Sequence, residues 1–272
     1  MTQLVHKTAL VSEKAKIGKN VKIGSYSVIG DHVELGDNVE VMSHVCIDGF
    51  TTIGEKTRIF PFAAIGYIPQ DLKFRGEKSR LIIGENNSIR EYVTMHPGTA
   101  NDAMETVVGN DNLLMVGVHI AHDCVIGNNI VMGNNVTLGG HVHVADNVII
   151  GGLSALHQFV RIGQGAIIGG MSGVERDVIP HSTVKGERAS LAGLNIEGLR
   201  RANVTKNEIH SLQKAFDIIF YEKNTLAESL KILETTFQQQ RYVMDVVNFM
   251  KQKSERSFCR PKNEHGCLST TK

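Results

Sequence analysis

The sequence lacks the features that would place it among nucleic-acid-binding, membrane or exported proteins. Its 272 residues carry 29 lysines and arginines against 28 acidic residues, so no excess charge favours a nucleic acid or a membrane surface. No apolar stretch is long enough to span a membrane, and the N-terminal segment has no basic start followed by an apolar run. These absences predict a soluble cytoplasmic protein with no nucleic-acid partner and no stable membrane insertion.

Cysteine is scarce and unpatterned. Cys46, Cys124, Cys259 and Cys267 show no CxxC spacing, and the first two fall within the repeat described next. A small, half-apolar side chain packs well in a repeated face. The spacing therefore favours buried free thiols over disulfides or zinc ligands.

What the sequence does contain is a repeat of six residues over most of residues 17–174. Neither the helical period of 3.6 nor the strand period of 2 produces it, whereas a chain that turns a corner every six residues does. The pattern predicts an all-β left-handed parallel β-helix, a hexapeptide-repeat solenoid. The repeated aliphatic positions are Ile17, Ile23, Ile29, Leu35, Val41, Ile47, Ile53, Ile59, Ile65, Ile83, Ile89, Val108, Leu114, Ile120, Ile126, Met132, Leu138, Val144, Ile150, Leu156, Ile162, Ile168 and Val174.

Three hexapeptides close one triangular coil of 18 residues, so residue n lies beneath residue n+18. Glycine often follows the aliphatic residue, and we expect it there because a corner with positive φ is cheap only without a Cβ. These glycines are Gly18, Gly24, Gly30, Gly36, Gly54, Gly66, Gly127, Gly133, Gly139, Gly151, Gly163 and Gly169.

Two interruptions and a change of pattern divide the chain. Polar stretches at 67–80 and 97–106 break the repeat, and we expect both to be loops that leave the β-helix, which covers 1–190. Capping-box patterns at Thr205–Glu208 and Thr225–Glu228 predict two helices, and a third is expected over Tyr242–Lys251. The sequence thus predicts a C-terminal helical domain at 191–253 that caps the solenoid, then a disordered tail at 254–272.

Histidines concentrate in the last third of the solenoid. The 18-residue rule stacks His122, Gly140 and Gln158 in one column, with His119, His141, His143 and His157 nearby. An imidazole, a glycine N–H and an amide along one corner suit a general base, an oxyanion donor and a substrate-binding group. A metal site on the same histidines is the competing interpretation, although the pattern offers no compelling carboxylate or thiolate partner.

Five separated motifs then occur in an order that resembles a known family. They are residues 118–124 (VHIAHDC), 138–141 (LGGH), 155–159 (ALHQF), 70–74 (QDLKF) and 195–201 (NIEGLRR). Together they resemble the acyl-carrier-protein-dependent UDP-N-acetylglucosamine O-acyltransferases of lipid A biosynthesis. The resemblance covers the whole solenoid and the start of the helical region.

The resemblance implies a reaction and a set of catalytic residues. The family moves an (R)-3-hydroxyacyl chain from acyl carrier protein to the 3-hydroxyl of UDP-N-acetylglucosamine (UDP-GlcNAc), the first step of lipid A biosynthesis. His122 would be the general base, Asp123 would orient it, and the Gly140 N–H would bind the oxyanion. No acyl-enzyme is then needed, in agreement with the absence of Cys and Ser from the His122 column. No metal and no cofactor are implied beyond the phosphopantetheine of the carrier.

The resemblance also implies binding roles. His119, His141, His157 and Gln158 would line the sugar-nucleotide groove, Asp71 and Lys73 would reach it from the first loop of a neighbouring subunit, and Asn195, Glu197 and Arg201 would hold the nucleotide end. The family commonly has a second arginine where this chain has Ala202, which puts a phosphate contact there in doubt. Gly170 would end the acyl groove and leave room for a chain of about 14 carbons.

Partners and alternatives follow from shape and charge. A prism filled with aliphatic side chains has no internal room for ligands, so we expect grooves between subunits of a homotrimer. Basic candidates for docking the acidic acyl carrier protein are Arg200, Lys206, Lys214, Lys251 and Lys253. Three alternatives stay open: an N-acyltransferase, whose uridine-binding domain is not seen before Ile17, a zinc carbonic anhydrase, and a non-catalytic solenoid.

Overall fold

The structure is a computed structural model that describes residues 4–262. Most of its strands contain two residues each, because the chain turns a corner after every pair. The strands are β1 (Leu10–Val11), β2 (Lys16–Ile17), β3 (Lys22–Ile23), β4 (Val28–Ile29), β5 (Glu34–Leu35), β6 (Glu40–Val41), β7 (Cys46–Ile47), β8 (Phe50–Ile53), β9 (Arg58–Ile59), β10 (Ala64–Ile65), β11 (Arg80–Ile83), β12 (Ser88–Ile89), β13 (Thr94–Met95), β14 (Glu105–Val108), β15 (Leu113–Leu114), β16 (His119–Ile120), β17 (Val125–Ile126), β18 (Val131–Met132), β19 (Thr137–Leu138), β20 (His143–Val144), β21 (Ile149–Ile150), β22 (Ala155–Leu156), β23 (Arg161–Ile162), β24 (Ile167–Ile168), β25 (Gly173–Val174), β26 (Ser182–Lys185) and β27 (Ser190–Leu194).

Every third strand belongs to the same sheet. One face carries β1, β4, β7 and so on to β25, the second runs from β2 to β23, and the third from β3 to β24, where β26 and β27 extend it. Strands of successive coils pair in parallel. Val125 lies beside His143, which is the register of residue n with residue n+18. The predicted left-handed parallel β-helix is confirmed.

The axis of the prism is filled by the repeated aliphatic side chains. Ile47, Ile53, Ile59 and Ile65 are fully buried, and each is the last residue of its strand. Their neighbours in the strand face outward, as the period of 2 within each face requires. Burial of this continuous column of aliphatic side chains drives the stacking of the coils.

The expected role of the corner glycines is wrong. Only Gly66 of that set has a positive φ, and the left-handed residue of a typical corner comes two positions later, as at Asn20 (57°) and Asn38 (60°). Gly18 is required for a different reason: an ideal Cβ there would lie 2.6 Å from Oδ1 of Asp37 on the next coil. Close stacking of coils therefore selects glycine, while the positive φ falls on residues such as asparagine that tolerate it.

Both interruptions lie at the same corner of the prism. Across the first loop, residues 67–79, the register rises from 18 to 30 residues, since Arg80 pairs with Phe50. Across the second loop, residues 97–104, it is 25, since Arg80 also pairs with Glu105. Both insertions thus sit between strands of the first and second faces, and the coils on either side remain stacked.

The chain becomes helical after β27. The helices are α1 (Ile196–Arg201), α2 (Lys206–Phe220), α3 (Leu226–Thr236) and α4 (Arg241–Lys251). The capping boxes predicted at Thr205 and Thr225 are both present and begin α2 and α3. The short helix α1 is additional to the three predicted helices, and the side chain of Asn195 caps it by accepting a hydrogen bond from the Gly198 N–H. Within 4–262 no helix has the length and apolar character needed to cross a bilayer.

The segment after α4 returns to the solenoid. Phe258 forms a bridge with Asp177 and Pro261 with Leu191, and the Cys259 side chain between them is buried. The prediction of a disordered tail is wrong for residues 254–262, because these backbone pairs give the segment partners that the local sequence does not reveal. Residues 263–272 lie outside the described part of the chain.

Candidate active site

A single corner of the prism carries both loops and most of the predicted catalytic residues. We call residues 121–124, 139–142 and 157–160 the histidine corner. A cavity of about 690 Å³ opens beside it, a size suited to a small-molecule ligand. It is lined by Asp71, Lys73, Asn101, Asp102, His122, His141, His143, Gln158, Phe159, Arg161, Lys253, Ser254 and Glu255.

His122 packs directly on Gly140. An ideal Cβ at Gly140 would lie 2.5 Å from Cε1 and 2.8 Å from Nε2 of His122, so only glycine leaves room for the imidazole. The Phe159 N–H donates to the Gly140 carbonyl, which continues the stack toward Gln158. The column predicted from the 18-residue spacing is thus present, with His122 and Gln158 at the same cavity.

Asp123 holds the other side of the His122 ring. Its Oδ2 lies 2.7 Å from Nδ1 of His122, and the Thr99 N–H and hydroxyl donate to the same carboxylate at 2.8 and 2.7 Å. Burial alone would raise the pKa of Asp123, but the hydrogen bonds from His122 and Thr99 outweigh burial and hold that pKa below its usual value. An ionised carboxylate only accepts, so the hydrogen of His122 sits on Nδ1 and Nε2 is left as the basic atom.

His141 forms the second wall of the site. Its ring lies perpendicular to His122 at 5.1 Å between centroids and stacks on Phe159 at 4.4 Å. Its Nδ1 bonds Asp102 of the second loop at 2.8 Å, while its Nε2 lies 3.8 Å from Oδ2 of Asp123. The second loop therefore fixes both the His141 ring, through Asp102, and the His122–Asp123 pair, through Thr99.

The N–H of Gly140 is available to a ligand. Among residues 4–262 it donates to no backbone or side-chain acceptor, whereas the flanking Gly139 and His141 N–H groups bond Leu156 and His122. The Cβ contact places Gly140 directly against the His122 ring. A free donor next to a basic nitrogen is the arrangement that an oxyanion needs.

Of the four residues expected to line the sugar-nucleotide groove, His119 and His157 do not line this cavity. His119 bonds Thr94 through Nδ1 at 2.8 Å and packs against His96, and burial, followed by the nearby His96 and His122 rings, lowers its pKa. The His157 ring accepts a hydrogen bond from the Arg256 guanidinium at 2.6 Å. The Arg256 side chain also donates to the Gln158 carbonyl.

The first loop serves the cavity of its own chain. Asp71 and Lys73 line it beside His122, and the Asp71 carboxylate accepts the Lys73 N–H to close a tight turn. Entry of these two residues into the site of a neighbouring subunit stays a prediction beside this placement in their own chain. The first loop leaves the prism at the same corner as the second loop, one coil earlier. It therefore reaches the cavity of its own chain over a short distance.

The residues expected at the nucleotide end lie at a different corner. Asn195, Glu197, Arg201 and Ala202 line a second cavity of about 520 Å³, which we call the α1 cavity. It shares no lining residue with the cavity at the histidine corner. Its other lining residues are Asn147, Ile149, Gln164, Gly165, Ile167, His181, Gly198, Leu199, Arg241 and Tyr242.

Gly170 lies at the third corner. It stacks on Gly152, whose carbonyl oxygen would be 3.2 Å from an ideal Cβ at Gly170. Beside these two glycines, Leu153 and Met171 are strongly exposed with left-handed backbone. The stretch combines bare backbone with exposed apolar side chains, which is compatible with contact to a hydrocarbon chain.

A carboxylate does accompany the histidines, contrary to the expectation that weighed against a metal. One ligand atom each from His122, Asp123 and His141 lies within 4.8 Å of the others. The Asp123 oxygens, however, already accept from His122 and Thr99. A metal bound there would have to replace these bonds, so zinc chemistry remains an alternative that chelation can test.

The nearest thiol is a poor nucleophile. Cys124 is buried, its Sγ donates to the Gly139 carbonyl, and burial raises its pKa to about 12. It stays protonated at neutral pH and points away from the cavity. This geometry favours a reaction without an acyl-cysteine intermediate.

Sequence reasoning missed the residues that support the site. Thr99 and Asp102 lie in the second loop, and Arg256 lies in the segment after α4. None of the three belongs to the repeat, so the 18-residue rule assigns them no position.

Both the solenoid and the helical region of the chain match known protein families. Residues 14–49 and 105–140 match the family described as bacterial transferase hexapeptide (six repeats), and residues 177–259 match the second domain of UDP-N-acetylglucosamine O-acyltransferase. Among solved structures, the Francisella novicida UDP-N-acetylglucosamine acyltransferase has a TM-score of 0.92 at 36% identity and covers 95% of both chains. Another, from Acinetobacter baumannii, has a TM-score of 0.90 at 40% identity and covers 95% of this chain and 100% of that one.

Curated relatives agree with the solved structures. A Rickettsia felis protein named acyl-(acyl-carrier-protein)-UDP-N-acetylglucosamine O-acyltransferase is 55% identical over 218 residues, 80% of this chain and 83% of its own. A Caulobacter vibrioides protein of the same name is 46% identical over 223 residues, 82% of this chain and 85% of its own. The chain belongs to the family of acyl-carrier-protein-dependent UDP-N-acetylglucosamine O-acyltransferases.

Proposed function

We propose that this O-acyltransferase moves an (R)-3-hydroxyacyl chain from acyl carrier protein to the 3-hydroxyl of UDP-GlcNAc, the first step of lipid A biosynthesis, with His122 as general base. The observation that carries the mechanism is the His122–Asp123 bond of 2.7 Å, which leaves Nε2 as the basic atom next to Gly140, whose N–H is free. Family membership supports the substrates. The proposal needs no resident cofactor and includes a cytoplasmic location.

The transfer proceeds without a covalent enzyme intermediate. His122 Nε2 takes the proton of the sugar hydroxyl as its oxygen attacks the thioester carbon, and the Gly140 N–H binds the resulting oxyanion. When the tetrahedral intermediate collapses, the carbon–sulfur bond breaks and the pantetheine sulfur receives the proton from His122. The ionised Asp123 stabilises the imidazolium between these two steps.

The two cavities supply a reason for a trimer. The histidine corner holds the chemistry, while the residues implied for the nucleotide end line the α1 cavity at another corner of the same prism. We infer that a sugar nucleotide that contacts both sets bridges two chains. A closed homotrimer repeats one such heterologous contact three times and leaves no unpaired face.

We also place the first contact with acyl carrier protein, the acyl donor, at the histidine corner. Lys253 lines that cavity, whereas Arg200 and Lys206 line a separate cavity beside Ile209 and the Lys251 ammonium is paired with Glu234. We therefore assign the first contact with the acidic carrier to Lys253 rather than to the whole basic set.

The test is transfer from 3-hydroxyacyl-acyl carrier protein to radiolabelled UDP-GlcNAc. We expect chelator-insensitive transfer that falls at least about a hundredfold in a folded His122→Ala variant. His32→Ala is the matched control, because His32 occupies a distant coil of the same corner and stacks on Phe50. Loss of transfer with EDTA would favour the zinc alternative, and full activity of His122→Ala would refute the base.

Mixing two inactive variants tests the shared site. Equimolar His122→Ala and Arg201→Ala chains, unfolded and refolded together, should regain about a quarter of wild-type activity, the fraction of contacts that join two intact halves in a random trimer. Each variant refolded alone serves as the control. Failure of the mixture to exceed the separate variants would place both sets of residues in one chain's site.

A further inference from the structure

The α1 cavity contains two guanidinium groups that have no acidic partner. Arg201 and Arg241 both line it, and no carboxylate lies within 4.0 Å of either among residues 4–262. The nearby acids are engaged elsewhere: Glu197 pairs with Arg200 at 2.9 Å, and Asp245 bonds His181 at 3.0 Å. The cavity thus presents a net positive site that its own side chains do not neutralise.

The two arginines come from separate elements. Arg201 ends α1 and Arg241 begins α4, so they reach the cavity from different parts of the helical region. The Arg241 guanidinium lies 5.8 Å from the centroid of the Tyr242 ring, within the range of a cation–π contact, and both residues line the cavity. Ala202, next to Arg201, lines the same cavity and contributes no charge to it.

We propose that Arg241 binds the diphosphate of the sugar nucleotide together with Arg201. This inference rests on the proposed function and adds a binding residue to it. Guanidinium groups bind phosphate through paired N–H donors, and a diphosphate carries enough charge and oxygen atoms for two of them. Arg241 thereby supplies from α4 the second positive charge that the position of Ala202 lacks.

The proposal is tested by titration calorimetry with three probes on the full-length protein. Uridine lacks phosphate, whereas UDP and UDP-GlcNAc carry the diphosphate. We expect Arg241→Gln to lower the affinity for UDP and for UDP-GlcNAc about tenfold and to leave the affinity for uridine unchanged. The affinity of the conservative Arg241→Lys variant for UDP should lie between those of the wild type and Arg241→Gln, because lysine keeps the charge but not the paired N–H donors of arginine.

Control and rescue variants separate a binding role from a structural one. Arg188→Gln removes an exposed arginine that lies 4.0 Å from Glu175 and lines neither cavity, so its affinities should equal wild type. Adding Ala202→Arg to Arg241→Gln should restore UDP affinity. In kinetics, Arg241→Gln should raise KM for UDP-GlcNAc about tenfold and change kcat less than about twofold.

Three results would overturn the inference. Wild-type UDP affinity in Arg241→Gln would show that the side chain does not touch the diphosphate. Equal weakening of uridine and UDP would assign Arg241 a structural role. Absence of UDP and UDP-GlcNAc binding in the wild type would refute the proposed function as well, and this outcome is distinguishable because it precedes any substitution.

Discussion

His122 and Asp123 are adjacent in the chain, and their side chains turn toward each other across the corner, with Nδ1 of His122 2.7 Å from Oδ2 of Asp123. Adjacent residues of an extended strand point to opposite sides. The left-handed backbone of Asp123, with φ of 59°, makes the contact possible. The corner thus produces a base and its orienting group from two consecutive residues.

Removing the charge of Asp123 should damage catalysis without preventing binding. Asp123→Asn keeps the shape of the side chain but no longer stabilises an imidazolium, so we expect kcat to fall about a hundredfold and KM for UDP-GlcNAc to change little. Steady-state kinetics with purified acyl carrier protein measure both. Thr99→Val, which removes only one hydrogen bond to Asp123, should show a smaller loss of kcat, and a kcat unchanged in Asp123→Asn would contradict the mechanism.

A methyl group at Gly140 should act through His122. The added Cβ would lie 2.5 Å from Cε1 of the ring, so Gly140→Ala should displace the imidazole and lower kcat about a hundredfold. The double variant Gly140→Ala with His122→Ala tests the route by a mutant cycle. If Gly140→Ala lowers kcat by the same factor in the wild type and in His122→Ala, Gly140 acts independently of the ring.

The size of residue 170 should set the preferred acyl chain. With glycine there, donors of about 14 carbons should react faster than donors of about ten, and Gly170→Met should reverse the order, since each buried methylene is worth about 0.8 kcal/mol. The measurement is the ratio of kcat/KM for the two donors. Retained activity with the shorter donor controls for folding, and an unchanged ratio would exclude Gly170 from the groove.

His119 should make stability depend on pH on the acid side of neutrality. Burial lowers its pKa in the folded chain from 6.5, so the unfolded chain binds its proton first as the pH falls. Stability contributed by neutral His119 is therefore present above pH 6.5 and lost as the pH falls toward the folded pKa. Urea unfolding at pH 8 and pH 5 should show a smaller difference in His119→Asn than in wild type; an equal difference would contradict this assignment.

Arg256 should position His157 and Gln158 from outside the solenoid. Arg256→Ala removes both of its bonds, to the His157 ring and to the Gln158 carbonyl, and should lower kcat/KM about tenfold with little change in the urea midpoint. Arg260→Ala is the matched control in the same segment, because the Arg260 carbonyl, not its side chain, bonds Leu191. Equal kinetics of the two variants would deny Arg256 a positioning role.

The repeat supported most of the correct predictions, and the supporting site residues that the sequence did not reveal lie outside it. The column of His122, Gly140 and Gln158 follows from spacing alone, because stacked coils convert sequence separation directly into position. Thr99, Asp102 and Arg256 could not be found this way, since loop and tail residues acquire their contacts only from the tertiary fold. The glycine interpretation failed because the sequence cannot separate a need for positive φ from a close approach between coils.

The placement of both loops at one corner has a consequence for how such a chain can change. A residue gained or lost within a loop alters the wall of the cavity and leaves every coil in register. A residue gained or lost within a coil turns the following aliphatic side chain out of the axis and breaks the stack. Evolution can therefore vary the substrate at the loops by insertion and deletion, while the coils accept little except substitution.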